Sequence, residues 1–187
     1  DSAQARAEAR KVIKNSADIG SAFCLIHHSS MEQLVNKNLR QIVRLPDYLS
    51  MIRDEGLLPG LSAHMPEAVQ YCDLNNYDVV TYIQIFNCMG FLMQIEVEGV
   101  YNIIRNAKHP VMTIKPFAAG RCTPFVGLNF NWSVLRDQDM ITVGASSAAE
   151  AREDIEISLA ALERRPPKIE GRSSPFKQGV LGHDMTK

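Results

Sequence analysis

Apolar residues form short runs separated by longer stretches of helical spacing, a pattern that predicts alternating strands and helices. Five runs are rich in apolar, β-branched or aromatic residues, as buried parallel strands are. They lie at residues 19–28, 57–64, 77–87, 110–116 and 139–144. The third run is the clearest strand, whereas Pro59 and Gly60 weaken the second.

A stretch that favours a helix follows each predicted strand, and another precedes the first strand. These stretches are residues 2–15, 31–55, 65 onwards, 94–107, 124–136 and a last helix ending near residue 164. Pro46 is expected to kink or divide the second helix, and Ser146 or Ser147 to cap the last. One domain over residues 1–165 is predicted, and residues 166–187, with several glycines and basic residues, are expected to form an extended or disordered tail.

Strands that alternate with helices through short loops predict an α/β fold with a parallel sheet. Periodicity does not distinguish a doubly wound sheet from a barrel. No Gly-x-Gly-x-x-Gly motif follows any predicted strand, which weighs against a dinucleotide-binding Rossmann domain.

Composition narrows the classes of function. The net charge is −1, from 20 basic and 21 acidic residues, so no nucleic-acid partner is indicated. No apolar run approaches the roughly 20 residues of a membrane span, so no membrane association is expected. The N-terminal residues lack the apolar stretch of a signal peptide. The four cysteines are widely spaced without a Cys-x-x-Cys pair, which favours free thiols in a reducing, cytoplasmic location and no zinc site.

Residues that could take part in catalysis or ligand binding lie at the predicted strand ends, where barrels place their functional groups. They are His27, His28, Ser62, His64, Gln84, Asn87, Lys115, Arg121, Gly144 and Ser146. Lys115 ends an apolar strand, and partial desolvation there makes a lysine amine more nucleophilic, as Schiff-base chemistry requires. The alternative is a lysine paired with a carboxylate or a bound phosphate.

Two loops are candidates for binding the phosphates of a dinucleotide. Residues 118–121 offer small side chains, Gly120 and the cation of Arg121, while Gly144, Ser146 and Ser147 offer amides and hydroxyls at a helix start. Simple capping of the last helix by Ser146 or Ser147 is the alternative.

Five segments in order resemble the ends of strands four to eight in the aldo/keto reductase family, over roughly residues 18–163. These segments are Cys24–His28, Gly60–His64, Gln84–Asn87, Met112–Arg121 and Thr142–Glu150. The resemblance implies that the chain covers about five β/α units of a (β/α)₈ TIM barrel. It also implies an oxidoreductase that transfers hydride between NADP or NAD and a small carbonyl or alcohol substrate.

In this family the fourth strand ends in the histidine of the catalytic tetrad, so the resemblance assigns to His27 the polarisation of the substrate carbonyl. It assigns Gln84 to the nicotinamide amide. The remaining residues predicted to contact the cofactor are Ser62, Asn87, Gly120, Arg121, Gly144, Ser146 and Ser147.

The family takes its catalytic aspartate, tyrosine and lysine from the first three strands, which this chain does not contain. We therefore expect either residues before Asp1 or a partial barrel whose open strand edges need a partner or a second copy, as in a homo-oligomer. Two other functions remain open: a Schiff-base lyase of the class I aldolase type that uses Lys115, and an inactive barrel homologue that binds a ligand or partner.

Overall fold

A five-stranded parallel sheet flanked by helices forms the centre of the structure. The structure is a computed structural model that describes residues 2–169. Its elements in chain order are α1 (Ala3–Asp18), β1 (Phe23–Ile26), α2 (His28–Met31), β2 (Val35–Asn36), β3 (Gln41–Ile42), α3 (Leu45–Asp54), β4 (Leu58–Ala63), α4 (Glu67–Asn75), β5 (Thr81–Ile85), α5 (Val97–Asn106), β6 (Val111–Ile114), α6 (Pro124–Val134), β7 (Met140–Thr142) and α7 (Ala148–Glu163).

The strands of this sheet follow one another in the order β1-β4-β5-β6-β7, and every neighbouring pair is parallel. The register places Ile26 opposite Leu61, Ala63 opposite Gln84, and Gln84 opposite Thr113. Each strand lies inside one of the five predicted runs, so the α/β class with a parallel sheet is confirmed. Because all strands point the same way, the residues after them share one edge of the sheet, which we call the carboxyl edge.

One face of the sheet is covered by helices. The Tyr82 hydroxyl donates to Asp73 of α4 at 2.6 Å, and the Thr113 hydroxyl contacts Asn131 of α6 at 3.4 Å. At β1, Cys24 packs against the buried cluster formed by α1 and α3. Side chains alternate along a strand, so Gln84, two residues after Tyr82, lies on this same covered face.

The opposite face of the sheet is apolar and only partly covered. Phe23, Leu58 and Met140 lie on it with 47%, 36% and 41% of their surfaces exposed. Gly60 also belongs to this face, where an added Cβ would lie 2.7 Å from Leu25 Cγ. The glycine therefore leaves the space across which Leu25 packs from the neighbouring strand.

The predicted helix over residues 31–55 is confirmed only in its last part, where α3 begins beside Pro46, and is wrong over residues 31–44. The chain there forms the short helix α2, a 3₁₀ turn at Glu32–Leu34, the antiparallel hairpin of β2 and β3, and only then α3. Arg40 and Arg44 have φ angles of 51° and 61°, in the left-handed region, which interrupts a right-handed helix. Pro46 lies in the first turn of α3, where its missing N–H costs little.

The other predicted helices are confirmed, with ends displaced by a few residues. Ser147, one of the two predicted caps, caps α7 by accepting a hydrogen bond from the Glu150 amide at 3.1 Å. Of the predicted tail, residues 170–187 lie outside the described residues. No helix within residues 2–169 combines the length and apolar character that a membrane crossing requires.

A buried ion pair links the start of β7 to the start of β6. The Asp139 side chain is fully buried; it accepts from the Val111 amide at 2.9 Å and pairs with Arg136 at 2.7 Å. The Arg136 guanidinium also donates to the carbonyls of Ala107 and His109. This network fixes the loop between α5 and β6 and hence the position of β6.

Candidate functional site at the carboxyl edge

Three histidines meet at the carboxyl edge, beside Lys115. His27 and His28 follow β1, and His64 follows β4. The ring centroids of His27 and His28 are 4.1 Å apart, and His28 stacks on His64 at 3.7 Å. We call His27, His28 and His64 the histidine cluster. The pairing of β1 with β4 brings these residues together.

His27 has an exposed side chain and directs one ring nitrogen into its own loop. It is the N-cap of α2; its Nδ1 lies 2.8 Å from Ser29 Oγ and accepts from the Ser29 amide at 3.4 Å. In the neutral ring, an Nδ1 that accepts leaves the proton on Nε2. His27 therefore satisfies a loop amide and also presents an Nε2–H donor at the carboxyl edge.

His64 is half-buried and electrostatically linked to its neighbours. Burial lowers the pKa of His64, as do the nearby His28, Lys115 and His27, whereas Glu32 acts to raise it. The amides of His64 and Met65 both donate to Glu32 Oε1, at 2.7 and 2.9 Å. Glu32 thus connects the loop after β1 to the loop after β4.

Lys115 directly follows β6 and has a strained backbone conformation. Its φ angle is 60°, and Ala118 and Ala119 in the following loop have φ angles of 48° and 56°. Such non-glycine conformations cost about 1–3 kcal/mol each and persist only where the surroundings enforce them. Lys115 is half-buried and forms no ion pair with a carboxylate in residues 2–169. Within that part of the chain, the structure therefore does not support the alternative that Lys115 pairs with a carboxylate.

The two predicted phosphate loops line one cavity at the carboxyl edge. It has a volume of about 360 Å³, and its walls include Gly120, Arg121 and Gly144. The Arg121 guanidinium lies 4.1 Å from the centroid of the Phe91 ring and donates to the Ala118 carbonyl at 3.1 Å. The structure therefore brings three of the predicted cofactor contacts together.

The start of α7 already holds a negative charge. Glu150 Oε2 accepts from the Ser146 amide at 2.8 Å and from the Ser146 hydroxyl at 2.7 Å, while Ser147 caps the Glu150 amide. This reciprocal arrangement is similar to a capping box, except that the carboxylate accepts from the residue before the cap. An incoming phosphate would have to displace Glu150 to reach these groups.

The other predicted cofactor contacts lie apart from this cavity. Gln84 is fully buried on the helix-covered face, and its Oε1 has no hydrogen-bond partner among the described residues. Asn87 is also buried; its side chain accepts from the Met89 and Phe91 amides and donates to the Phe91 carbonyl, closing the turn after β5. Ser62 lies on the opposite face from Gln84. The structure therefore does not gather Ser62, Gln84 and Asn87 at one point.

The sequence analysis missed Glu32. One potential ligand atom from each of His28, Glu32 and His64 lies within 4.8 Å of the other two. The available signal was the spacing of His28 and Glu32, which places both side chains on one side of a helical turn. The predicted helix over residues 31–55 concealed this signal, because it begins after His28 and so separates His28 from Glu32.

All four cysteines are free thiols, as predicted. Cys88, after β5, and Cys122, after the 3₁₀ turn Ala118–Gly120, lie in contact, and the pKa of Cys122 is raised to about 11 by burial and by Cys88. Burial also raises the pKa of Cys72 well above its usual value. The thiols of Cys72 and Cys122 are therefore in their neutral form at pH 7.

Comparison of the chain with protein-family models, with curated proteins and with solved structures found no match. Function must therefore be inferred from the residues and their geometry.

Proposed function

We propose that the chain forms five consecutive β/α units, the fourth to the eighth, of a (β/α)₈ barrel. Its strands are ordered sequentially and are all parallel, as in that fold. Contacts from α1, α3, α4 and α6 all lie on one face of the sheet. The opposite face carries apolar side chains such as Phe23 and Met140, which a closed barrel would bury in its interior.

We infer that this segment supplies the cofactor half of an aldo/keto reductase-like oxidoreductase. One observation carries the proposal: the exposed side chain of His27 and the cavity lined by Gly120, Arg121 and Gly144 share the carboxyl edge. Barrels place both their reacting groups and their phosphate sites at this edge. The substrate class is a small carbonyl compound or alcohol, and the cofactor is NADP or NAD.

The chain's own residues have two tasks in this reaction. The Nε2–H of His27 donates to the carbonyl oxygen and stabilises the negative charge that develops there. Lys115 lies close to His64, and its positive charge also stabilises negative charge that develops at this edge of the sheet. A bound nicotinamide would supply or accept the hydride.

Arg121 is the residue assigned to the cofactor phosphates. Its guanidinium is held against Phe91 and retains donors for a phosphate oxygen. Gly144 has open space around its Cα, with no atom within 4 Å of an added Cβ, so a phosphate can approach the backbone there. Glu150 opposes such an anion because its carboxylate lies in the same cavity.

A second candidate is a Schiff-base lyase that uses Lys115. The half-buried amine without a carboxylate partner in residues 2–169 favours it, because only an unpaired amine is available for attack on a carbonyl. The third candidate, a non-catalytic barrel that binds a ligand, shares the same edge but needs neither His27 nor Lys115.

Calorimetric titration with NADP⁺ and with NAD⁺ tests the leading proposal. Arg121→Ala should weaken nucleotide binding roughly 10- to 100-fold. This factor corresponds to the loss of one charge-assisted hydrogen bond, which contributes about 1.5–3 kcal/mol. Arg105→Ala is the matched control, because Arg105 is exposed on α5 away from the cavity. Equal binding by the two variants, or no binding of either nucleotide to the wild type, would overturn the cofactor assignment.

Borohydride trapping with a panel of small aldehydes and ketones tests the second candidate. A lyase of this type gives a reduced adduct at Lys115 that mass spectrometry locates and that Lys115→Met abolishes. Reaction spread over surface lysines such as Lys108, without enrichment at Lys115, rejects it.

A further inference from the structure

We propose that His28, Glu32 and His64 form a binding site for a divalent transition-metal ion of the zinc class. The site requires no nucleotide and does not depend on the proposed reductase function. It uses two residues of the histidine cluster together with the carboxylate that the sequence analysis missed.

The three residues come from two elements that the sheet brings together. His28 begins α2, and Glu32 lies one helical turn later, so both side chains extend from the same side. His64 directly follows β4, the neighbour of β1 in the sheet. All three residues are half-buried, which leaves a path for an ion from solvent.

The spacing of the ligand atoms is close to that of a metal site. All three lie within 4.8 Å of one another. Tetrahedral bonds of about 2.0–2.1 Å to zinc place ligand atoms roughly 3.3–3.5 Å apart. The ligand atoms must therefore approach one another by at most about 1.5 Å, a distance within the reach of side-chain rotation.

The carboxylate is held in place before any ion binds. Glu32 Oε1 accepts from the backbone amides of His64 and Met65 at 2.7 and 2.9 Å. These bonds fix the carboxylate beside His64, and we assign its Oε2 to the metal. Hydrogen bonds that orient a ligand in this way raise the affinity of metal sites.

The donor set selects the kind of ion. Two imidazole nitrogens and one carboxylate suit Zn²⁺, Co²⁺, Ni²⁺ or Fe²⁺, whereas Mg²⁺ and Ca²⁺ prefer oxygen ligands alone. Three protein ligands leave at least one coordination position for water or a substrate oxygen. At this edge of the sheet that position faces the same region as His27 and Lys115.

Two features of the unbound arrangement oppose the ion. The rings of His28 and His64 are nearly parallel, at 15°, so their nitrogens point side by side and the rings must turn towards a common point. The positive charge of Lys115 lies close to His64 and repels a cation. Lys115→Met should therefore increase zinc affinity several-fold.

Calorimetric titration of the metal-free full chain with Zn²⁺ tests the site. We expect one ion per chain, at least tenfold weaker binding in His28→Ala, His64→Ala and Glu32→Gln, and no change in His109→Ala. His109 is the control because it precedes β6, at the opposite edge of the sheet. Glu32→Gln keeps an oxygen for the two amides, so it changes the ligand with little effect on folding.

Substitution with Co²⁺ gives an independent readout through its visible absorption, which reports nitrogen and oxygen ligands directly. The spectrum of Co²⁺ bound to the wild type should differ from that of the free ion, and this difference should be reduced in His64→Ala and lost when His28 is replaced as well. Absence of Zn²⁺ binding, or binding that His28→Ala and Glu32→Gln leave unchanged, overturns the proposal.

Discussion

The imidazole rings of His28 and His64 stack with 3.7 Å between centroids and 15° between planes. The two residues belong to different β/α units and meet only because β1 pairs directly with β4. The contact between the two rings therefore depends on the register of the sheet as well as on the local structure of the site. A slip of one residue in this pairing would turn the side chains of β1 to the other face and separate the rings.

Removing the carboxylate of Asp139 should strongly destabilise the fold. Asp139→Ala leaves the Arg136 guanidinium and the Val111 amide without their buried partner, and such losses cost about 3–5 kcal/mol. The free energy of unfolding, measured by urea denaturation, should fall by that amount. Asp137→Ala, at an exposed neighbouring position, should change it by less than about 0.5 kcal/mol. Similar values for both variants would show that the buried pair adds nothing.

Replacement by alanine should destabilise the fold at Gly127 but not at Gly144. A Cβ on Gly127 would lie 2.6 Å from the Pro116 carbonyl oxygen, so Gly127→Ala forces α6 away from the loop after Lys115. We expect a loss of about 1–3 kcal/mol, since overpacking outweighs the better helix propensity of alanine. Gly144→Ala meets no atom within 4 Å and should leave stability almost unchanged. Thermal denaturation of both variants tests this, and equal melting temperatures would show that the Pro116 carbonyl does not restrict position 127.

Glu150 should act as an internal competitor of the nucleotide phosphates. Glu150→Gln removes the negative charge at the start of α7 while keeping an oxygen near Ser146. Affinity for NADP⁺ should rise about 2- to 5-fold, which corresponds to the 0.3–1 kcal/mol of a charge at a helix N-terminus. Glu98→Gln, an acidic residue in the first turn of α5, should leave affinity unchanged. If Glu150→Gln weakens binding, the carboxylate contacts the nucleotide instead of competing with it.

The ion pair of Glu156 and Arg165 should give an acid-dependent contribution to stability. Glu156 accepts from Arg165 at 2.6 Å and from the Lys168 amide at 2.7 Å, and the Arg165 guanidinium lowers the pKa of Glu156 from 4.5 to about 2. Because the folded-state pKa lies below the unfolded value, the contribution is complete above about pH 4.5. It is lost as the pH falls through 2.

The matching experiment compares the wild type with Glu156→Gln between pH 6 and pH 2. The difference in melting temperature should be constant down to about pH 5, shrink below that and disappear near pH 2. A difference that stays constant throughout this range would mean that the charge of Glu156 does not stabilise the folded chain.

The sheet was predictable because each strand is a compact apolar run bounded by polar or turn residues. Such runs need no information about distant contacts. The hairpin of β2 and β3 was not predictable in this way, because Leu34, Val35, Leu39 and Ile42 repeat at a helical spacing. Left-handed backbone at Arg40 and Arg44, stabilised by tertiary contacts, decides the local structure there.

The sequence predicted where the site lies, but it did not predict the hydrogen-bond partners of the residues in the site. Parallel strands place His27, His64 and Lys115 at one edge, and strand ends can be read from the sequence. The role of Glu32, which binds the amides of His64 and Met65, depends on the path of a loop that the apolar pattern predicted incorrectly. The role of Glu150 was not predictable either, because the hydrogen bond that it accepts from the Ser146 amide depends on the geometry of the loop.

The most direct test of the account is nuclear magnetic resonance of the isotope-labelled chain during titration with NADP⁺. Backbone amide shifts should change at Gly120–Cys122 and Gly144–Ser147, and the Nε2 resonance of His27 should move in the same titration. The loop between α3 and β4 and the loop between α5 and β6, both at the opposite edge of the sheet, should stay unchanged. Changes confined to those remote segments, or no change at saturating nucleotide, would contradict a cofactor site at this edge.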